Sequence, residues 1–275
     1  MKQIICPGFK AAGIHAGLKK NNEKDLGLVY SDIPATVAGV FTTNKVKAAP
    51  VQLDMERVKT GQCRAVVVNS KNANCCTGER GMQDALSMGR AVSTALDIDE
   101  NDVMVASTGV IGNPLPIEKI EAAAPDLAQS LSSQGFMDCA QAMMTTDTVP
   151  KLVHRQGEFA GTPFNVVGLA KGSGMIAPNM ATMLCFLCTD VKAEPGTLKA
   201  ALAKSVETSL NRIVIDGDTS TNDTTLILAN GQSGVSLESN AAMDIFQRVL
   251  GDVLMTLARE LVRDAEGGTK VVTID

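Results

Sequence analysis

The chain contains very little histidine. Only His15 and His154 occur among its 275 residues, which leaves few candidates for a histidine-based triad or metal cluster. There is no basic excess either, because 25 Lys and Arg face 30 Asp and Glu and give a net charge of −5. A strongly basic footprint for nucleic acid is therefore missing. Chemistry that needs no histidine is favoured.

Long apolar runs are also missing. No run of 18 apolar residues suggests a transmembrane helix, and the first residues lack the apolar core of a secretory signal. We therefore expect a cytoplasmic protein that binds neither nucleic acid nor membrane. The chain has seven cysteines, an odd number, and they are scattered among apolar residues. This favours reduced thiols that pack in a core. Cys185 and Cys188 form C-x-x-C, but on a strand they would point to opposite faces, so we predict no metal site there.

The apolar content, 45%, is sufficient for the core of one large domain or two. Apolar periodicity predicts strands and helices that alternate without a strict βαβ rhythm, so a layered α/β or α+β architecture is expected. We expect a turn near Gly157 and a helix break at Pro125. The predicted strands are 35–43, 64–69, 102–107, 150–155, 164–169, 183–187, 224–228 and 270–274, and the predicted helices are 83–96, 116–131, 134–144, 198–210 and 240–262.

The segment 216–223 is rich in Asp, Thr and Ser and invites a calcium-loop interpretation. Thr221 and Ile227 stand where a calcium loop has its central Gly and its terminal Glu. We therefore predict hydrogen-bonded support for an active-site wall instead.

The segment 171–190 dominates the chemistry. It begins with Lys171 on a glycine-rich turn, passes through a loop and enters an apolar strand, which places Thr182 at the junction. Attack of the Thr182 hydroxyl on the carbonyl of Ala181 would give an ester that water can open. Thr182 would then be a new N-terminus whose amine, with a pKa of about 7.7–8, can act as a base. From spacing alone, an ordinary half-buried strand threonine is the more frequent case.

Residues 171–184 match the pattern K-G-[SA]-G-M-[IL]-x-P-x-[ML]-A-T-M-L, and the sequence resembles the ornithine acetyltransferase (glutamate N-acetyltransferase) family over nearly its whole length. The other matching motifs, in family order, lie at 38–44, 48–51, 69–78, 106–112, 144–148, 216–223 and 266–270. The resemblance implies a helix–sheet–sheet–helix sandwich shared with self-processing aminopeptidases. It also implies self-cleavage into an α chain, 1–181, and the first part of a β chain, 182–275, which stay associated, with two of each in the assembly.

The resemblance further implies the reaction and its residues. The family moves the acetyl group of N-acetyl-L-ornithine to L-glutamate in arginine biosynthesis, through an acetyl-threonine and without a cofactor, and acetyl-CoA is a possible further co-substrate. Thr182 would be the nucleophile, and Thr108 and Gly109 would form the oxyanion hole. The implied substrate-binding residues are Thr145, Lys171, Thr182 and Glu266.

The chain departs from the family pattern in a few places. Lys71, Leu210 and Ala265 stand where the family usually has Gly, Phe and Gly, and Lys71 is unfavourable if its φ must be positive. Family members continue past Asp275 through a segment that contributes an Asn and a Thr or Ser to substrate binding. Two alternatives remain at this point: an N-terminal-nucleophile aminopeptidase on the same scaffold, and an inactive truncated remnant.

Overall fold

The computed structural model describes residues 4–176, 183–270 and 272. Within them the chain forms eight strands and six α-helices. The strands are β1 (Phe9–Ile14), β2 (Leu26–Phe41), β3 (Gln62–Asn69), β4 (Val103–Ser107), β5 (Lys151–Phe159), β6 (Thr162–Lys171), β7 (Leu184–Thr189) and β8 (Thr224–Ala229). The helices are α1 (Ala49–Arg57), α2 (Gly78–Leu96), α3 (Ile117–Gln129), α4 (Phe136–Met143), α5 (Pro195–Glu207) and α6 (Asn240–Arg263).

Strand β2 connects two halves of one hydrogen-bonded sheet. Its first half pairs with β1 and β3, its register shifts between Tyr30 and Ala35, and its second half pairs with β8. The strand order is β4-β3-β2-β8-β7-β6-β5, with β1 added on β2. Because a bulge bends a strand and increases its twist, the two halves can fold over one another and still share β2.

Three apolar clusters define the layers. In the first, α2 and α3 cover one face of β2, β3 and β4, and in the second, α5 and α6 cover one face of β5 to β8. The third cluster lies between the two halves of the sheet and joins β3 and β4 to β6, β7 and β8, with α4 at its side. The order helix–sheet–sheet–helix is therefore confirmed, as is the α/β class.

Strand β7 illustrates why the two layers pack. All six of its side chains are buried, because alternate residues enter different apolar clusters. Cys185 faces the α5–α6 side and Cys188 faces the core between the layers, so the prediction that the C-x-x-C pair points to opposite faces is confirmed. All seven cysteines are free thiols, and Cys76 is exposed.

Most predicted elements occur with shifted ends, and two expectations are corrected. Helix α3 continues through Pro125, since Ile120, Ala124 and Leu127 bury one face of it. Gly157 lies inside β5 opposite Phe164, and the turn is formed instead by residues 160–161, both with positive φ. Lys270 is outside any strand, and most of 271–275 lies outside the described residues. The sequence reasoning missed α1, β1 and the first half of β2.

No helix in the described part of the chain is long and apolar enough to cross a membrane.

Candidate active site

A cleft of about 890 Å³ opens where several strands end. The carboxyl ends of β4 and β6 and the amino end of β8 border it, together with the segment after α4. Its walls include Lys19, Lys71, Thr108, Gly109, Thr145, Lys171, Gly174, Asp216, Asn222 and Glu266. The structure thus brings together five of the site residues anticipated from the sequence: Thr108, Gly109, Thr145, Lys171 and Glu266. Ala181 and Thr182 lie outside the described residues.

Lys171, the last residue of β6, is buried at the base of the cleft with 4% of its surface exposed. Its Nζ donates to the Thr145 hydroxyl at 2.7 Å and to the Thr108 hydroxyl at 3.1 Å, and lies 4.0 Å from Oδ2 of Asp147. Burial lowers the pKa of Lys171, against the attraction of Asp147. A cation held this way has donor capacity for an anionic group that enters the cleft.

Gly109 is a position where only glycine fits. Its φ is +135°, and an added Cβ would lie 2.2 Å from the carbonyl carbon of Lys71. The two segments are bound to each other, because Val110 donates to Lys71 O at 3.1 Å and Thr108 donates to Asn69 O at 3.0 Å. Among the described residues, no acceptor is bonded to the Gly109 N–H. The Gly109 N–H and the Thr108 hydroxyl are therefore two donors at one edge of the cleft.

Lys71 itself has a φ of +82°. The sequence-based concern was that a lysine is unfavourable at a site that requires positive φ, and the structure shows that this site does require it. A left-handed conformation costs a non-glycine residue about 1–2 kcal/mol.

Glu266 lies in the turn after α6. Its backbone N–H donates to Ser173 O at 2.6 Å, and Ser173 shares a 2.6 Å hydrogen bond with the Thr146 hydroxyl. The Oε2 atom of Glu266 lies 3.1 Å from the position that a Cβ on Gly174 would occupy. The absence of a side chain at Gly174 thus leaves space for the carboxylate beside the cleft.

The segment 216–223 holds the cleft wall by hydrogen bonds to the backbone. Asp216 accepts from Met175 N and, at 2.9 Å, from Ile176 N, while Asp223 accepts from Met183 N at 2.9 Å. Asn222 donates to Ala73 O at 2.6 Å and Ser107 O at 2.8 Å. The predicted supporting role is confirmed. The two aspartates also fasten the residues on either side of 177–182, which sequence reasoning did not anticipate.

A group of buried charges behind Lys171 was also missed. Asp147 and Lys151 are in contact at 2.8 Å, and Lys151 reaches Asp264 at 2.6 Å. The only sequence signal was the position of Asp147 within the Thr145–Asp147 triple. No group of three or more His, Cys, Asp or Glu arranged to hold a metal occurs in the described ranges.

The four-layer fold defines the class first: an α/β sandwich with a polar cleft at its strand ends. At 12% identity and a TM-score of 0.57, the fold resembles that of the L-aminopeptidase D-Ala-esterase/amidase of Ochrobactrum anthropi, a variant of the N-terminal-nucleophile hydrolase fold, over 96% of this chain and 86% of that one.

The ArgJ family model matches residues 10–275, and the chain belongs to this family. It is an acetyltransferase of arginine biosynthesis. The ArgJ protein of Geobacter sulfurreducens, an arginine biosynthesis bifunctional protein, is 49% identical over 269 residues, which are 97% of this chain and 68% of the relative. The ornithine acetyltransferase of Mycobacterium tuberculosis, solved with ornithine, is 35% identical with a TM-score of 0.57 and covers 66% of this chain and 97% of its own.

Proposed function

We propose that the chain cleaves itself between Ala181 and Thr182 and then transfers the acetyl group of N-acetyl-L-ornithine to L-glutamate through an acetyl ester on Thr182. The observation that carries this proposal is the contact of Lys171 with the hydroxyls of Thr108 and Thr145, beside Gly109, in a chain of the ArgJ family.

The sheet explains how the two products of cleavage would remain together. The bond between 181 and 182 lies between β6 and β7, and these strands pair antiparallel from Val166↔Thr189 to Lys171↔Leu184. Cleavage therefore cuts a connection and leaves the ladder intact. The α chain 1–181 and the β chain from 182 onward would stay associated as one folded unit, two of which would form the assembly.

The proposed chemistry is a double displacement. The Thr182 hydroxyl attacks the acetyl carbonyl of N-acetylornithine, the C–N bond breaks, and the proton from the hydroxyl passes through the free Thr182 amine to the departing ornithine amine. The α-amine of glutamate then attacks the ester, the C–O bond breaks, and a proton from the glutamate amine passes through the Thr182 amine to the threonine oxygen. Thr108 and Gly109 would donate to the oxyanion in both steps, a contribution worth about 10²–10³ in kcat for one such donor.

The charged residues divide the recognition of substrate between them. Lys171 would bind the α-carboxylate, with Thr145 beside it, and Glu266 would attract the side-chain ammonium of ornithine. The acetyltransferase of Mycobacterium tuberculosis was solved with ornithine, which agrees with this substrate class.

We further propose acetyl-CoA as a second acetyl donor, which the resemblance to the family implies. No cofactor is needed in the proposed chemistry. The alternative of an aminopeptidase activity is supported only by the fold that this chain shares with the Ochrobactrum enzyme.

Denaturing electrophoresis and mass spectrometry test the proposal together. The chain, 28.8 kDa when intact, should separate into two shorter bands, and N-terminal sequencing of one should begin at Thr182. Incubation with acetylornithine should add one acetyl group to that fragment, and glutamate should remove it. A Thr182→Ala chain should remain intact and inactive, whereas Thr208→Ala, a matched change at the end of α5, should behave as wild type.

An intact Thr182 chain without an acetyl adduct would contradict the proposal. Hydrolysis of peptides in place of acetyl transfer would favour the aminopeptidase.

A further inference from the structure

Asp147 is a buried carboxylate behind the cleft, and it bonds to several groups there. Its Oδ1 accepts from Gly172 N at 2.7 Å and from Lys151 Nζ at 2.8 Å, and its Oδ2 accepts from Thr145 N at 3.1 Å. The same Oδ2 lies 4.0 Å from the Lys171 ammonium. One side chain thus fixes the backbone at Thr145 and next to Lys171, the two residues whose side chains meet in the cleft.

Lys151 and Asp264 fix Asp147 in turn. Lys151 is shielded from solvent and its ammonium is shared between Asp147 and Asp264. Asp264, at the end of α6, also accepts from the backbone N–H of Thr148 at 3.0 Å. The buried charges therefore link α6 to the start of β5 and to the base of the cleft.

We propose that Asp147 is a positioning residue that keeps Lys171 and Thr145 in the arrangement needed to bind the substrate carboxylate, and that the Lys151–Asp264 pair holds Asp147 in place. The substrate part of this inference rests on the proposed function. Asp147 does not touch substrate in this account and acts through its neighbours.

Electrostatics gives the inference a distinctive signature. The other charged groups that act on Lys171 are Lys151, Asp223 and Lys19, and burial already lowers the pKa of Lys171. Replacing Asp147 by Asn removes its nearest carboxylate, so the pKa of Lys171 must fall further. The ammonium form is then lost at a lower pH, and carboxylate binding weakens progressively as the pH rises. A purely structural defect would have no such pH dependence.

The test compares Asp147→Asn with Asp190→Asn. Asp190 is also buried and accepts from Asn165 N at 2.7 Å, but it lies at the far end of β7 from Lys171. Competitive acetylation of lysines with acetic anhydride, followed by mass spectrometry across pH, reports the titration midpoint of Lys171 without any enzymatic turnover. In Asp147→Asn we expect that midpoint to fall by about one pH unit or more, and in Asp190→Asn we expect no shift.

Steady-state kinetics with acetylornithine and glutamate adds the functional readout. The ratio of wild-type to Asp147→Asn kcat/KM should rise from a few-fold near pH 6 to about 30-fold or more near pH 8.5, mainly through KM. A folded Asp147→Asn protein with an unchanged Lys171 midpoint, or with the same deficit at every pH, would overturn the inference.

A second variant covers the case in which Asp147→Asn does not fold. Asp264→Asn should shift the Lys171 midpoint in the same direction by a smaller amount, and no shift there would refute the inference. If the Lys171 midpoint shifts in the variants as expected but the wild type transfers no acetyl group, the proposed function is refuted and the electrostatic role of Asp147 is supported.

Discussion

Replacing Gly109 with alanine tests the candidate oxyanion hole where two backbone segments approach most closely to the glycine. The new Cβ would lie 2.2 Å from the carbonyl carbon of Lys71, 2.4 Å from its oxygen and 2.5 Å from Asn72 N. All three are backbone atoms, so the contact cannot be relieved by a side-chain rotation. The segment after β3 and the segment after β4 must separate, and the Gly109 N–H must move with them.

The size of the effect follows from two separate costs. Overpacking against fixed atoms destabilises by about 1–3 kcal/mol, and the positive φ of +135° adds about 1 kcal/mol for alanine. Displacing one donor of an oxyanion hole costs about 10²–10³ in kcat. We therefore expect Gly109→Ala to be less stable by about 2–4 kcal/mol and to lose most of its turnover even where it is folded.

Gly112→Ala is the matched control. Gly112 belongs to the same loop and has a φ of +84°, but a Cβ added there would meet nothing within 4 Å. It should cost only the conformational strain of about 1 kcal/mol and keep kcat within a few-fold. Urea unfolding and acetylornithine kinetics measure both quantities. Wild-type kcat in a folded Gly109→Ala protein would show that this N–H does not serve acyl transfer.

Three further outcomes follow from buried or strained groups. Lys71→Gly relieves the left-handed strain but gives the unfolded chain more conformational freedom, so the free energy of unfolding should change by less than about 1 kcal/mol. Lys71→Val introduces a β-branched residue at this positive φ, so its free energy of unfolding should fall by more than about 1 kcal/mol. Urea titration of the two variants distinguishes these outcomes. Burial raises the pKa of Cys63, Cys139 and Cys185 to about 12, while Cys76 is exposed. A thiol reagent should therefore label Cys76 first in the native protein, and simultaneous labelling of several thiols would contradict the packing.

The last of these outcomes concerns how the stability of the fold changes at acidic pH. Burial would raise the pKa of Asp147 and Asp264, but the nearby lysines and hydrogen bonds hold both below the ordinary value. Their stabilisation should be complete above about pH 4–5 and decline as the pH falls below about 4, through their folded-state pKa values. Urea midpoints measured from pH 7 to pH 3 should fall less steeply in Asp264→Asn than in wild type.

Local pattern was sufficient for much of the fold but not for its beginning. Strand β3 and helix α6 were predictable because a short apolar run and a regular apolar stripe are signals that neighbouring residues carry. Strand β1 was missed because Gly13 interrupts it. The requirement for glycine there is tertiary, since a Cβ would lie 2.0 Å from the carbonyl oxygen of Asp138 in α4.

The candidate site shows the same division. Thr108, Thr145 and Lys171 were anticipated from family motifs, and the structure places both threonine hydroxyls within 3.1 Å of the Lys171 ammonium. Their roles remain predictions. The bond from Lys151 to Asp264 spans 113 positions in the chain, and no local signal marks such a partner. Charges whose burial depends on distant segments cannot be recognised before the layers are assembled.

The bend in β2 has a consequence for how precisely the cleft is held. Thr108 follows β4 in one layer and Lys171 ends β6 in the other, so the 3.1 Å bond between them spans the sandwich. Two separate sheets could slide over their apolar interface and change that distance. A shared strand resists such sliding and makes the layers one mechanical body, so the two walls of the cleft keep their spacing without a covalent crosslink between them.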